Sequence, residues 1–150
     1  MIYIGIDPAF RTKGFCIAIF DTTDRTVNFK TFKRFGNFVG WLINDRPETA
    51  VVCIENSNLQ QYTFNKAHNP LNIGKNMGIS QCTVELCTEY YPKTTYQISP
   101  KEKGEKITPK IAQSIANINK HKTTTTITTQ DQSDAYKILL IGINKHQQKT

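Results

Sequence analysis

The sequence predicts an α/β domain around a central five-stranded mixed sheet, a three-stranded antiparallel meander plus two parallel strands, flanked by helices. Three observations predict it. Apolar or alternating runs fall at residues 2–7, 14–20 and 26–32, joined by short polar links, as a meander requires. The apolar spacing then changes to a helical period over 35–46. Two more short strand-like stretches, the apolar AVVCIE at 50–55 and TTYQI at 94–98, follow helical stretches, the order that gives parallel strands with right-handed crossovers.

The elements follow in chain order. IYIGID (2–7) is the first strand, and GFCIAIF (14–20) the second, after the polar turn FRTK. TVNFKTF (26–32) alternates, with Val27, Phe29 and Thr31 on one face and Asn28 and Lys30 on the other, which reads as a half-exposed edge. Phe35, Phe38, Val39, Leu42 and Ile43 form one helical stripe, and Pro47 limits its continuation. AVVCIE (50–55) is continuously apolar, as in a strand covered on both faces, and closes on Glu55. Residues 56–70 read as a polar loop and 71–90 as a long helix with Ile73, Met77, Val84 and Tyr91 near one stripe. TTYQI (94–98) is the fifth strand, and 99–110 a Lys-rich loop. Thr108 and Pro109 supply an N-cap and a first-position proline for a helix carried by Ile111, Ile115 and Ile118. TTTTITT (123–129) is β-branched and of low complexity, and a last helix covers about 130–145. With no repeat and no linker, residues 1–150 form a single domain.

Composition narrows the function. The chain is 38% hydrophobic and no apolar run reaches the ~20 residues that span a bilayer. The N-terminus lacks the pattern of a signal peptide, so a soluble, cytoplasmic protein is expected. A net charge of +7 suits a polyanionic partner, nucleic acid before a membrane surface, and also suits simple solubility. Cys16, Cys53, Cys82 and Cys87 contain no CxxC pair, so reduced thiols are expected rather than a zinc site. His68, His121 and His146 lie far apart and are given no role.

Four carboxylates carry the chemistry. Asp7 and Glu55 each close a strand, and parallel neighbours would bring both to the carboxyl edge of the sheet, where α/β folds bind ligands. Asp131 and Asp134 share one helix face, and the stripe continues into Ala135, Ile138 and Leu139, which packs on the sheet and draws the pair towards the strand ends. Converging carboxylates need a cation to stay ionised. Oxygen ligands without His or Cys suit Mg²⁺ or Mn²⁺. Two such ions about 4 Å apart can activate water and stabilise the leaving oxygen in phosphodiester cleavage. Taken singly, Asp7 also reads as a turn former, and Asp131 and Asp134 as helix-start charges. Glu55 has no capping role.

The stretches IGIDPAFRTKGFCI, VVCIENS and DQSDAYKILL resemble, in order and spacing over nearly the whole chain, the three acidic motifs of the RuvC-type Holliday junction resolvases of the RNase H-like superfamily. The resemblance implies an RNase H-like fold and a Mg²⁺-dependent homodimer that cuts two strands of a four-way DNA junction symmetrically. It matches Asp7 to the first acid, Glu55 to the second, and Asp131 with Asp134 to the last pair. Whether Asp131 binds metal directly or positions water and Asp134 stays open. Ala9 replaces a glycine of the family pattern, and the loop after Glu55 is longer than expected. The short length and heavy use of Lys, Asn, Ile and Thr suit a phage or an AT-rich bacterial genome.

Lys101, Lys103, Lys106 and Lys110 are candidates to meet phosphates beside the scissile bond, or form a solvated face broken by Glu102 and Glu105. Tyr62 and Phe64, with Lys66 nearby, either stack on an unpaired base or anchor their loop to the core. The 71–90 helix, with Gly74 and Gly78 four apart, is the candidate dimer surface; the glycines also suit packing of helix on sheet. Two other functions fit the same acids: an RNase H-like nuclease for other branched DNA or hybrids, and a junction-binding protein without catalysis.

Overall fold

The computed structural model describes residues 1–8, 15–59 and 70–150. Six strands form one sheet: β1 (Ile2–Ile6), β2 (Phe15–Asp21), β3 (Thr26–Phe32), β4 (Val51–Glu55), β5 (Thr95–Ile98) and β6 (Lys122–Thr123). Their order across the sheet is β5-β4-β1-β2-β3-β6. The first three form the antiparallel meander, and β4 and β5 add in parallel on the other side of β1. The sixth strand, two residues parallel to β3, lies outside the predicted five. Such a stub is too short to show a period, and the rest of the threonine-rich run is not strand.

The helices are α1 (Phe35–Asn44), α2 (Pro70–Tyr90), α3 (Pro100–Lys103), α4 (Pro109–Ile118) and α5 (Gln130–Lys149). Strand alternation divides the core into two layers. Even-numbered Ile4, Ile6, Val52 and Ile54 pack with Phe38, Trp41 and Leu42 of α1 and Val84 and Cys87 of α2. Odd-numbered Tyr3, Val51 and Cys53 pack with Ala112 and Ala116 of α4 and Ala135, Tyr136, Ile138 and Leu139 of α5. Parity therefore directs Asp7 and Glu55, two residues beyond Gly5 and Cys53, to the α5 side.

The α5 helix lies on the sheet at backbone distance. A Cβ built on Gly5 would overlap the Ala135 carbonyl oxygen and the Leu139 amide nitrogen. One built on Gly142 would lie 2.6 Å from Cys53 Cβ. These contacts fix the height of α5 along β1 and β4 and place its first turns beyond the strand ends.

Three expectations of detail change. In α1, Ile43 is exposed and Trp41 takes its place in the core. In α4, Ile111 and Ile118 face solvent and the alanines are buried, because close packing against α5 favours small side chains. The Lys-rich loop contains α3, one helical turn closed by a reciprocal Ser99–Glu102 capping box. It ends at Gly104, whose φ of 72° suits glycine.

The histidines given no role include two with structural partners. His146 Nδ1 lies 3.0 Å from the Tyr96 hydroxyl. His121 Nδ1 lies 2.9 Å from the Tyr136 hydroxyl, and its ring packs 4.3 Å from that of Phe20. Burial, helped by Arg25, lowers the His121 pKa. The unfolded chain then takes up a proton that the folded chain resists, so stability contributed by His121 is complete above the ordinary histidine range and is lost as pH falls below that range through the lowered folded value. We expect His121→Gln to flatten the decline in melting temperature between pH 7 and pH 5 relative to the unaltered chain; an unchanged slope would remove His121 from that decline.

Candidate active site

In the parallel pairing of β1 with β4, Ile6 stands beside Ile54. One residue further, Asp7 and Glu55 leave the same end of the sheet. Beyond Glu55 the chain is pinned: Asn56 donates from Nδ2 to Gln97 Oε1, and its Oδ1 accepts from the Asn58 amide. A 3₁₀ turn at Ser57–Leu59 follows.

Lys103, at the end of α3, joins the two acids. Its Nζ lies 2.5 Å from Glu55 Oε2 and 3.4 Å from Asp7 Oδ2. The residue is only 8% exposed. Burial works against its charge, but the charges of Asp7, Glu55 and Asp134 outweigh burial and leave the pKa raised. Lys103 is thus not on the surface with the other lysines of its segment. The short α3 turn is tied to α5 by the Glu102–Lys145 ion pair at 2.8 Å. That hydrogen-bonded ammonium holds the Glu102 carboxyl below its ordinary range.

Asp134, 1% exposed, sits in the second turn of α5. The start of that helix is fixed by a Thr129–Gln132 capping box. Gln130 donates from Nε2 to Asp134 Oδ1 at 2.9 Å and to the Ile107 carbonyl at 2.9 Å, and Ser133 also donates to Ile107. The Asp134 Oδ2 and Glu55 Oε2 atoms are buried without a hydrogen bond, although Lys103 pairs with the latter by charge. Asp131 is partly buried in the first turn, and its charge reaches Cys16 on β2, helping burial push that thiol up to about 11.

Asp7 and Glu55 therefore flank one ammonium, the charge of Asp134 acts on it from α5, and Asp131 lies one turn before Asp134. Among the described residues, no group of three His, Cys, Asp or Glu side chains stands close enough to hold a metal as placed, with Lys103 between Asp7 and Glu55. The donor set nonetheless fits a hard cation: it is all oxygen, and among the described residues Asp134 Oδ2 is buried with no hydrogen bond.

Solved structures place the fold. The chain superimposes on RuvC of T. thermophilus, solved in complex with a Holliday junction substrate, with a TM-score of 0.60 over 97% of this chain and 96% of that one. The chain has a RuvC-like fold. Identity to that protein is 13%, no family model matches, and no curated protein matches. Within the RNase H-like class, a RuvC-like fold has the meander, parallel strands and flanking helices described above.

Near these acids, Lys101 is exposed on α3, on the β5 flank, and Lys106 and Lys110 are exposed further along the chain, before and at the start of α4. On the other flank, Lys33 and Arg34 are exposed just past β3. Register puts them at the same sheet end, since Phe32 pairs with Phe15 and Ile17 with Ile6. The sequence reading missed them because two basic residues between a strand and a helix look like an ordinary turn. It also missed Gln130, whose only signal is its spacing of four from Asp134. Tyr62, Phe64, Lys66 and Ala9 lie outside the described residues. On α2, Gly74 and Gly78 have nothing within 4 Å among the described residues, so they do not serve packing on the sheet, and Leu71 is 64% exposed. No described helix is long and apolar enough to cross a membrane.

Proposed function

We infer that this chain is a metal-dependent endonuclease that resolves four-way DNA junctions by paired phosphodiester hydrolysis. The observation that carries the reading is the pairing of Asp7 and Glu55 with Lys103 at the strand ends of a RuvC-like fold, with the charge of buried Asp134 acting on the same ammonium. Asp7, Glu55 and Asp134, with Asp131 beside them, would hold Mg²⁺ or Mn²⁺. Two such ions supply Lewis acidity for the attacking water and the leaving 3′ oxygen.

The chain's own residues do the rest. Lys101, Lys106 and Lys110, with Lys33 and Arg34 past β3, bind phosphates around the acids. Gln130 orients Asp134 through its Oδ1 contact, leaving the other oxygen for a cation. Tyr62 and Phe64 stack on bases near the crossover, with Lys66 on phosphate. Cutting two strands at once needs two sites, and the Gly74–Gly78 stretch of α2, which does not pack on the sheet, suits a second copy of the chain.

The test is cleavage and binding with a four-way junction, a fork and linear duplex of equal length in Mg²⁺. The expected result is paired nicks in the junction, junction affinity at least about tenfold above duplex (about 1.4 kcal/mol), and two chains per junction by sedimentation. Equal affinity and cutting on all three substrates would favour the broader RNase H-like nuclease, and specific binding without cutting the non-catalytic protein.

A further inference from the structure

We propose that Lys103 is a built-in counter-ion for the acid cluster, holding the carboxylates together in the metal-free chain and competing with the incoming divalent cation for the same place. The proposal rests on the reading that these acids bind metal, and adds what sets the affinity for it.

Three observations support it. First, the ammonium stands where a bridging cation is needed, 2.5 Å from Glu55 Oε2 and 3.4 Å from Asp7 Oδ2. A cation bridging those two oxygens would have to share this space, and like charges in a site so withdrawn from water repel strongly. Second, Lys103 ends a single turn of helix outside the main core elements, so its charge can leave the cluster by stem rotation while the capping box and the Glu102–Lys145 pair keep α3 in place. Third, the lysine only partly satisfies the acids: among the described residues, Asp134 Oδ2 is buried with no hydrogen bond. An ammonium offers one positive charge and at most three directed donors. A divalent ion offers twice the charge and more coordination positions, so exchange is favourable once the ion reaches working concentration. Without metal, the lysine spares the fold the cost of three mutually repelling carboxylates.

Mn²⁺ binding to the DNA-free chain tests this directly, read by calorimetry and by the spin-resonance signal of free Mn²⁺. Lys103→Met keeps the stem and removes the charge. We expect it to bind Mn²⁺ at least about tenfold more tightly than the unaltered chain, to melt lower without metal, and to gain more from saturating Mn²⁺. Lys103→Arg keeps the charge and stays within about threefold of the unaltered chain. Should Lys103→Met not fold without metal, the unaltered chain gives a second measurement: acylation of Lys103, read by mass spectrometry, rises severalfold when Mg²⁺ saturates the site and frees the amine. Equal or weaker Mn²⁺ binding by Lys103→Met, equal tightening by Lys103→Arg, or acylation unmoved by metal overturns the counter-ion role and leaves the nuclease reading standing. Absence of any specific Mn²⁺ site in the unaltered chain overturns both.

Discussion

Asp7→Asn is expected to lower junction cleavage in Mg²⁺ by about a thousandfold or more, on the order of 4 kcal/mol of barrier, while junction affinity stays within about threefold. The change keeps the shape of the side chain and removes one charge at the end of β1. The acid cluster then loses one of the two carboxylates that touch Lys103. An amide oxygen is a poorer ligand for a hard cation than a carboxylate, so the loss falls on chemistry. On the proposed function, binding to DNA would depend on the exposed basic residues around the acids, which the substitution does not touch. Gel-shift titration in Ca²⁺ alongside a timed cleavage assay in Mg²⁺ separates the two effects. Cleavage at an undiminished rate would take Asp7 out of the mechanism, and with it the reason for reading this strand end as a metal site.

The second large effect is on stability. Gly5→Ala is expected to cost about 3 kcal/mol or more, lowering the melting temperature by about 10 °C. The new methyl would strike the α5 backbone at Ala135 and Leu139, with Leu139 Cα at 2.8 Å. Neither atom can rotate away as a side chain would, so the helix itself must shift. Asp134 belongs to the same stretch of α5, and we expect activity to fall beyond what the unfolded fraction explains. Gly40→Ala in α1 is the control. Among the described residues nothing lies within 4 Å of its Cβ position, and an alanine inside a helix is favoured over glycine by up to about 1 kcal/mol. Chemical denaturation of the two variants side by side checks this; a Gly5→Ala chain as stable as the original would mean that α5 does not sit at backbone distance from β1.

The sequence made the sheet legible because strands buried on both faces read as unbroken apolar runs, and VVCIE and IYIGI are of that kind. The acids at their ends were legible for the same reason: a carboxylate stands out against such a run. What stayed hidden was the cation among them. The segment KEKGEK has the composition of a solvated turn, and nothing local distinguishes Lys103 from Lys101 or Lys106. Its burial follows only from acids on β1, β4 and α5 waiting at the same place, a relation between distant parts of the chain. The isoleucines of α4 misled in the opposite sense. Their spacing fits a core stripe, but the narrow gap against α5 takes Ala112 and Ala116 and turns Ile111 and Ile118 outward. Gly5 looked like any small strand residue until the helix lying against it was visible.

The acids come from elements far apart in the chain, and α5 is the last of them to be made. During translation the strands bearing Asp7 and Glu55 emerge from the ribosome well before the helix bearing Asp134. A nascent chain can therefore begin to assemble its sheet while the cation pocket still lacks one wall. On the nuclease reading proposed above, hydrolytic capacity would arise only when α5 docks, and an unfinished polypeptide would be harmless to nucleic acid around it.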